Sequence, residues 1–241
     1  MKIINAVWEE RNLGVTTTEI TIEKKDTPEY VSEKLADIDS EYCVVRVPSD
    51  MVKILKTVQQ NGYEYIEDMI HVEHDLHEVE MNRILKRLYD RLLYREMTDA
   101  DFEELQAEIK KGMFDNDRIS NDSFFEKGLS SKRYMNWTKD LKAKGALFYV
   151  MTYNNESAGF IVLEKKDDKT YYSVLGGGYE KYRGTGLGSV QKEQEITRKL
   201  GGKKVITSVS SNNANQLRAL IMNGYTPYAI EHILVKHQNK R

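Results

Sequence analysis

The pattern of apolar and polar residues predicts alternating strands and helices in the first part of the chain. Residues 41–47 are rich in β-branched and aromatic side chains, as strands are. Residues 51–60 place apolar side chains on one helical face, and Asn61-Gly62 fits the end of that helix. A second strand is predicted over residues 63–72. This part is therefore expected to form a small α/β unit.

A similar pattern returns near the other end of the chain. Residues 204–209 predict a strand, and a helix follows that ends at Met222, before Asn223-Gly224-Tyr225. Placing Gly62 on Gly224 gives an offset of 224 − 62 = 162 residues. We interpret the two parts as related lobes, of which the first keeps only part of the second's plan. A strand–helix–strand unit is common, so chance similarity is the alternative.

The segment between the two parts predicts further helices and a set of strands. Residues 78–94 carry leucines and a methionine on one helical face, and Thr98 fits the N-cap of the next helix. Three strand-like runs at 146–153, 157–163 and 169–176 predict an antiparallel meander. The predicted class is α/β (α+β), with a central mixed, mostly antiparallel sheet flanked by helices. The predicted domains are a partial lobe (1–76), a linker helix (77–92) and a larger domain (93–241).

Composition narrows the classes of partner and compartment. Of 241 residues, 40% are hydrophobic, which is enough for packed cores. Lys and Arg (36) nearly balance Asp and Glu (38), so no nucleic-acid or membrane-surface partner is expected. Cys43 is the single cysteine, and no run of about 18 apolar residues occurs, so we predict a soluble cytoplasmic protein. His71, His74 and His77 are interpreted as ordinary surface residues, and no metal site is expected.

A glycine-rich stretch after the third predicted strand carries the most specific chemistry. The sequence Tyr182-Arg-Gly-Thr-Gly-Leu-Gly188 precedes a predicted helix, whose first N–H groups can bind a phosphate oxygen. No Gly-Lys-Ser/Thr stands near it, which excludes a Walker A loop. Its Gly-x-Gly-x-Gly spacing, with no acid at 203–211, excludes the dinucleotide fingerprint. An anion site or a merely structural turn remains.

This stretch resembles the Arg-Gly-x-Gly-hydrophobic-Gly signature of the GNAT (GCN5-related N-acetyltransferase) superfamily. The opening around Arg95 and Thr98, and the late segment in which Asn213 precedes Gly224-Tyr225, are similar to other elements of that family. The resemblance covers about residues 93–236. It implies the GNAT fold, with a partial GNAT-like lobe in front of it.

The resemblance also implies acetyl-coenzyme A as acyl donor and a primary amine of a small molecule as acceptor. The residues implied for cofactor binding are Leu175, Gly176, Gly177, Gly178, Arg183, Gly184, Thr185, Gly186, Leu187, Gly188, Ser189 and Asn213. In the family the amine attacks the thioester directly, and backbone N–H groups near residues 175–178 polarise its carbonyl.

The acceptor and the catalytic groups are less specified. Asp117, Arg118 and Asp122 resemble the TDP-fucosamine acetyltransferase branch, which implies an amino sugar or nucleotide sugar; a helix-capping loop is the alternative. Leu220 stands where the family often has a tyrosine acid, so Tyr225 and Tyr228 are the candidate catalytic residues. The alternatives are an impaired domain that binds acyl-coenzyme A or a protein partner, or a protein N-acetyltransferase. A homodimer is also an open possibility.

Overall fold

The computed structural model describes residues 1–238; residues 239–241, the end of the predicted larger domain, lie outside the described residues. In chain order the elements are β1 (Lys2–Asn5), α1 (Val7–Leu13), β2 (Thr17–Thr21), α2 (Pro28–Ala36), β3 (Tyr42–Pro48), α3 (Val52–Gln60), β4 (Glu64–His74), α4 (Arg83–Arg91), β5 (Leu92–Glu96), α5 (Asp99–Lys110), α6 (Arg118–Asn121), α7 (Leu129–Ala143), β6 (Leu147–Tyr153), β7 (Glu156–Lys165), β8 (Thr170–Gly178), α8 (Ser189–Lys199), β9 (Lys204–Ser210), α9 (Ala214–Met222) and β10 (Thr226–His237).

Over the described residues, all ten strands join one continuous sheet. Its order is β1-β2-β3-β10-β4-β9-β8-β7-β6-β5. The pairs β2–β3 and β8–β9 are parallel, and the other neighbouring pairs are antiparallel. The meander predicted over residues 146–176 is strands β6, β7 and β8. The prediction of a mixed, mostly antiparallel sheet is confirmed.

Strand β10 crosses from the C-terminal part of the chain into the N-terminal part. It lies between β3 and β4, pairing Val235 with Val44 on one side and Ile230 with Ile70 on the other. Strand β4 in turn pairs with β9. Each part of the chain therefore supplies a strand that completes the other part's sheet. The boundaries predicted at residues 76 and 93 stay predictions.

The two matching parts have the same element bounds at the offset found in the sequence. Strand β3 begins at 42 and β9 at 204 (42 + 162); helix α3 ends at 60 and α9 at 222 (60 + 162). Strands β4 and β10 begin at 64 and 226 (64 + 162). Val72 and Leu234, which correspond at this offset, are both fully buried. The shared bounds and burial support the interpretation of an internal repeat.

Helix α4 is shorter than the linker helix predicted over residues 77–92, mainly because residues 77–82 are not helical. Its N-cap is Asn82, whose side-chain oxygen accepts hydrogen bonds from the N–H groups of Ile84 and Leu85. It ends at Arg91 because Leu92 begins β5 and pairs with β6. A leucine at that position fits both a helical face and a buried strand, and strand pairing decides between them.

Helices cover both faces of the central strands. On β3, Val45 packs in a cluster with Val58 of α3, whereas its neighbour Val44 packs in another cluster with Ile119 of α6. Successive strand residues point to opposite faces, so the two clusters lie on opposite sides of the sheet. Cys43 is buried, as its apolar strand predicts. None of the described helices is long and apolar enough to cross a membrane.

Candidate functional site

The sheet opens between strands β8 and β9. They pair in parallel only from Thr170 opposite Lys204 to Ser173 opposite Thr207. Strand β8 continues to Gly178 alongside β7, but among the described residues no strand pairs with its other edge beyond Ser173. The β7–β8 register passes from Ser173 to Leu175, which leaves Val174 as an extra residue. Such a bulge bends a strand, and it stands where the two strands part.

The end of β8 presents backbone groups to this opening. Tyr179 donates its N–H to the carbonyl of Ala158, so that group points toward β7. Successive N–H groups of a strand point to opposite edges, so the N–H of Gly178 points toward the opening. Gly159 lets the strands approach, since a Cβ there would stand 2.4 Å from the Gly177 carbonyl oxygen. The predicted role of residues 175–178 stays a prediction, and their place is at the opening.

The glycine-rich loop follows the opening directly. Its three glycines have positive φ, at +73°, +65° and +85° for Gly184, Gly186 and Gly188. Thr185 and Leu187 between them do not. Alternation of this kind turns successive N–H groups into one concave surface, an anion-binding nest. A Cβ atom added at Gly184 or Gly186 would have no other atom within 4 Å, so the space beside these glycines is open. The Thr185 hydroxyl donates a hydrogen bond to the Tyr182 carbonyl at 2.6 Å.

Helix α8 begins after this loop without a cap. Its N-cap, Gly188, offers no side chain, and the first turn holds no acidic residue. Helix α5 differs, because Thr98 and Asp101 form a capping box there. Four N–H groups at a helix start lack intrahelical acceptors, so those of α8 are available to an anion. Arg183 is exposed and has no ion pair within residues 1–238, whereas Lys181 pairs with Glu156.

Behind the opening lies a buried acid that the sequence analysis did not select. Glu193 of α8 accepts a hydrogen bond from the Ser173 hydroxyl at 2.5 Å and another from the Tyr225 hydroxyl. Burial raises the pKa of Glu193. The sequence did carry a signal for its burial. Glu193 stands three residues after Val190 and three before Ile196, which puts it on the apolar face of the helix.

The two candidate tyrosines lie in different environments. Tyr225 is 2% exposed, its hydroxyl is bonded to Glu193, and burial raises its pKa well above the ordinary value. This placement does not favour proton donation to a ligand. Tyr228 is half exposed on β10, with its ring centroid 5.9 Å from that of His71. Leu220 is buried in the core beneath α9. Both catalytic assignments stay predictions.

Asn213 is the N-cap of helix α9. Its side-chain oxygen accepts a hydrogen bond from the N–H of Gln216 at 3.2 Å. The neighbouring Asn212 reaches toward Glu67 of β4 at 3.5 Å. The cofactor role implied for Asn213 stays a prediction, and the structure shows its capping role.

Asp117, Arg118 and Asp122 come together around the short helix α6, and each is held by contacts within the chain. Arg118 is buried and donates to Glu19 at 3.0 Å and to Glu9 at 3.4 Å. The Asp117 side chain caps α6, as the capping-loop alternative supposed. Asp122 accepts a hydrogen bond from the ring of His237. Their predicted substrate role stays a prediction.

A second buried acid stands on the β9 side of the opening. Glu67 of β4 is 3% exposed and accepts a hydrogen bond from the Ser210 hydroxyl at 2.5 Å. Burial raises the pKa of Glu67, with Asp117 adding to the effect and Arg118 opposing it. Sequence reasoning missed this residue because it comes from the N-terminal part. Only the pairing of β4 with β9 brings it here.

His74, Asp75 and His77 form the cluster of described residues whose spacing could hold a metal ion, with ligand atoms within 4.8 Å of one another. Nδ1 of His74 accepts the Leu76 N–H at 2.8 Å, so the neutral ring carries its proton on Nε2. That ring therefore has no free lone pair for a metal. Burial lowers the pKa of His74 to about 4. The prediction that these histidines lie on the surface is wrong for His74, which is 1% exposed because its ring packs against those of His77 and Tyr225. The expectation of no metal site stays a prediction.

Comparison with solved structures identifies the fold. The chain is similar to a functionally unknown conserved protein from Staphylococcus epidermidis ATCC 12228 (TM-score 0.62, 14% identity, 93% of this chain and 85% of that one). It is similar to a GCN5-related N-acetyltransferase from Sphaerobacter thermophilus (TM-score 0.56, 14% identity, 87% of this chain and 64% of that one). It is also similar to a tandem GNAT protein from the clavulanic acid biosynthesis pathway (TM-score 0.54, 10% identity, 87% of this chain and 68% of that one). No family model and no curated protein matches this sequence.

These likenesses show that the chain has the fold of GNAT acetyltransferases. The fold that the glycine-rich stretch implied is thereby confirmed. Strands β5 to β9 are neighbours in chain order in this sheet, and the uncapped helix α8 follows the strand at which the sheet opens.

Proposed function

We propose that this protein transfers an acetyl group from acetyl-coenzyme A to the primary amine of a small molecule. The observation that carries the proposal is the opening between β8 and β9 immediately beside the uncapped start of α8. In a GNAT fold, this pairing of features places a thioester in the opening and a diphosphate at the helix.

The residues present fit coenzyme A. The N–H groups of the loop and of the first turn of α8 would bind the pyrophosphate, and Arg183 would add a charge-assisted contact. Open space at Gly184 and Gly186 permits a close approach by the diphosphate. The N–H of Gly178, at the opening, would donate to the thioester carbonyl oxygen as negative charge develops there. Acetyl-coenzyme A would supply the activated acetyl group, and these residues would hold its thioester in the opening.

For the acceptor, we propose an amine that enters beside Glu67 and Ser210. The Ser210 hydroxyl donates its proton to Glu67 and keeps its oxygen lone pairs for an amine N–H donor. An amino sugar or nucleotide-linked amino sugar, as in the TDP-fucosamine branch, is the finer form of this proposal. A protein N-terminus or lysine is the alternative acceptor.

A second candidate is a domain that binds acyl-coenzyme A without turnover. It is favoured by Leu220, which cannot donate a proton, and by Tyr225, whose hydroxyl is held by Glu193. A thiol pKa near 8.5 makes the thiolate a tolerable leaving group without an acid, which favours the enzyme.

The test combines binding with turnover. We expect acetyl-coenzyme A to raise the melting temperature and to release thiol with at least one member of a panel of amines, amino sugars and nucleotide amino sugars. Arg183→Ala should weaken coenzyme A binding roughly tenfold or more, measured by calorimetry. As a control, Lys203→Ala removes an exposed charge just before β9, at the end of that strand away from the opening. This variant should bind coenzyme A with wild-type affinity.

Each result separates the candidates. Coenzyme A binding without thiol release for every amine would support the non-catalytic domain. If the protein does not bind coenzyme A and coenzyme A does not raise its melting temperature, both candidates are contradicted.

A further inference from the structure

Three polar side chains from adjacent central strands form a continuous hydrogen-bonded chain. The Ser208 hydroxyl of β9 lies 2.8 Å from Nδ1 of His71 on β4. Nε2 of the same ring lies 3.0 Å from a carboxylate oxygen of Glu231 on β10. His71 and Ser208 stand directly opposite each other in the β4–β9 register. The arrangement depends on the exchanged strands, because β4 comes from one part of the chain and β9 and β10 from the other.

For a neutral His71 ring, the carboxylate at one end fixes the order of donors and acceptors. The bond from His71 holds the pKa of Glu231 below its usual range, so this side chain is a carboxylate and accepts the Nε2 proton. The neutral ring then has its lone pair on Nδ1, which accepts the Ser208 hydroxyl proton. Ser208 keeps its own oxygen lone pairs for a further donor. A proton that arrives at Ser208 can therefore be passed to His71.

This chain of groups begins where the sheet opens. The last β8–β9 pair is Ser173 opposite Thr207, so Ser208 is the first residue of β9 that no longer faces β8. The side chains of His71 and Glu231 keep about a fifth of their surface exposed, at 22% and 19%. Ser208 and Ser210 are two residues apart and point to the same face of β9, so an amine that enters beside Ser210 lies on the face of the Ser208 hydroxyl, with His71 behind it.

We propose that Ser208, His71 and Glu231 form a proton relay that removes a proton from the acceptor amine during acetyl transfer. The proposal rests on the proposed function. The amine nitrogen forms a bond to the acetyl carbonyl carbon, and the C–S bond breaks with its electron pair going to sulfur. The proton released by nitrogen passes to the Ser208 oxygen as the Ser208 proton passes to His71 Nδ1. Glu231 stabilises the imidazolium, which later returns its proton to solvent.

Several other charged or titratable groups surround the ring of His71. From β10, Tyr228 approaches its face, in addition to Glu231. Two residues along β4, Glu73 pairs with Lys204 of β9 at 2.8 Å. From β3, the charge of Arg46 also lowers the pKa of Glu231. The pair of Glu73 and Lys204 belongs to the same strands as the relay but is not part of its hydrogen bonds, so it provides a matched control.

The kinetic test uses acetyl-coenzyme A and an amine that the wild type acetylates. His71→Gln should lower kcat/KM by about 10²–10⁴-fold near neutral pH. The loss should shrink as pH rises, because hydroxide in solution can then take the proton from the amine nitrogen in place of the relay. Ser208→Ala and Glu231→Gln should lower kcat/KM in the same direction, and Glu73→Gln should match the wild type. A His71→Gln variant with the kcat/KM and pH profile of the wild type would overturn the relay and leave the proposed acetyltransferase function intact.

A spectroscopic test does not depend on turnover. With ¹⁵N-labelled histidine, the ring of His71 should show the tautomer protonated at Nε2, and Glu231→Gln should change its nitrogen shifts. Adding coenzyme A should shift the same resonances. A ring protonated at Nδ1, or one that bound coenzyme A leaves unaffected, would overturn the relay. Failure to bind coenzyme A, or binding without transfer to any amine, would instead overturn the proposed function and the relay's role with it.

Discussion

The two related parts of the chain use the same scaffold but differ where a ligand would bind. In both, a strand pairs in parallel with the first strand of the repeat: β2 with β3, and β8 with β9. The pairing of β8 and β9 ends at Ser173 while β8 runs on to Gly178. The pairing of β2 and β3 reaches Thr21, the end of β2, and the N–H of Ile22 still donates to the Arg46 carbonyl. Within residues 1–238, only the C-terminal part opens its sheet in this way.

The helices that follow these strands differ in the same way. Helix α2 is capped by Thr27, whose side chain accepts the N–H of Tyr30, and its first residue, Pro28, has no N–H to offer. Glu29 adds a negative charge to the first turn. Helix α8 has neither cap nor acid there. The contrast shows that a strand–helix repeat alone does not make an anion site, which also needs an open edge and free N–H groups.

The largest effect should come from the exchanged strands that both parts share. Leu234→Ala in β10 should lower the free energy of unfolding by about 2–5 kcal/mol, since Leu234 is fully buried. Val72→Ala, at the equivalent position of β4 (72 + 162 = 234), should also destabilise, but less, because it deletes fewer atoms. Denaturant unfolding should show one transition for both variants, and Ile230→Ala, partly exposed on the same strand, is the mild control. Two separate transitions would mean that the parts unfold independently.

A smaller effect is expected in the loop that distinguishes the C-terminal part. Gly186→Val places a side chain at φ +65° and in the path of the pyrophosphate. The strain alone is about 1–2 kcal/mol, and coenzyme A affinity should fall roughly tenfold or more. Gly201→Val is matched, with φ +83° and open space beyond the far end of α8. Calorimetry should show wild-type affinity for that control; an equal loss in both variants would contradict the loop's role.

The smallest effect should arise at the capped helix of the N-terminal part. Thr27→Ala removes the cap of α2 and should cost about 1 kcal/mol of stability. Thr98→Ala, at the capping box of α5, should cost a similar amount. Neither change should alter coenzyme A binding. Weaker coenzyme A binding by the Thr27→Ala variant would contradict the assignment of the cofactor site to the C-terminal part alone.

Local structure was predictable from the sequence because it depends on neighbouring residues. The helices and strands around Gly62 and Gly224, and the loop before α8, follow from apolar periodicity and from glycine's tolerance of positive φ. The offset of 162 residues was also readable. The linker helix was overestimated mainly at its start, where α4 begins only after the Asn82 N-cap, and by one residue at its end, where Leu92 fits either a helix or a strand.

The candidate site was only half predictable. The donor side, residues 176–188, is one continuous segment with a recognisable spacing. The other side joins Glu67 and His71 to Ser208 and Ser210, residues about 140 positions apart, through the β4–β9 pairing. Periodicity shows that a strand exists but not which strand it pairs with. An exchange between two similar parts preserves the pattern of every strand and leaves no local trace.

The position of β10 also has a consequence for synthesis on the ribosome. The residues that β10 pairs with on β3 are far away in the sequence. The separation is 183 positions for residues 48 and 231 (231 − 48) and rises to 195 for residues 42 and 237 (237 − 42). When the first part of the chain emerges, β3 has no antiparallel neighbour until the residues after 226 follow it. Pairings of such long range form slowly, because loop closure precedes the contacts that stabilise it. The central sheet is thus completed only after the residues of β10 have been synthesised, and until then the edges of β3 and β4 that β10 covers lack this partner.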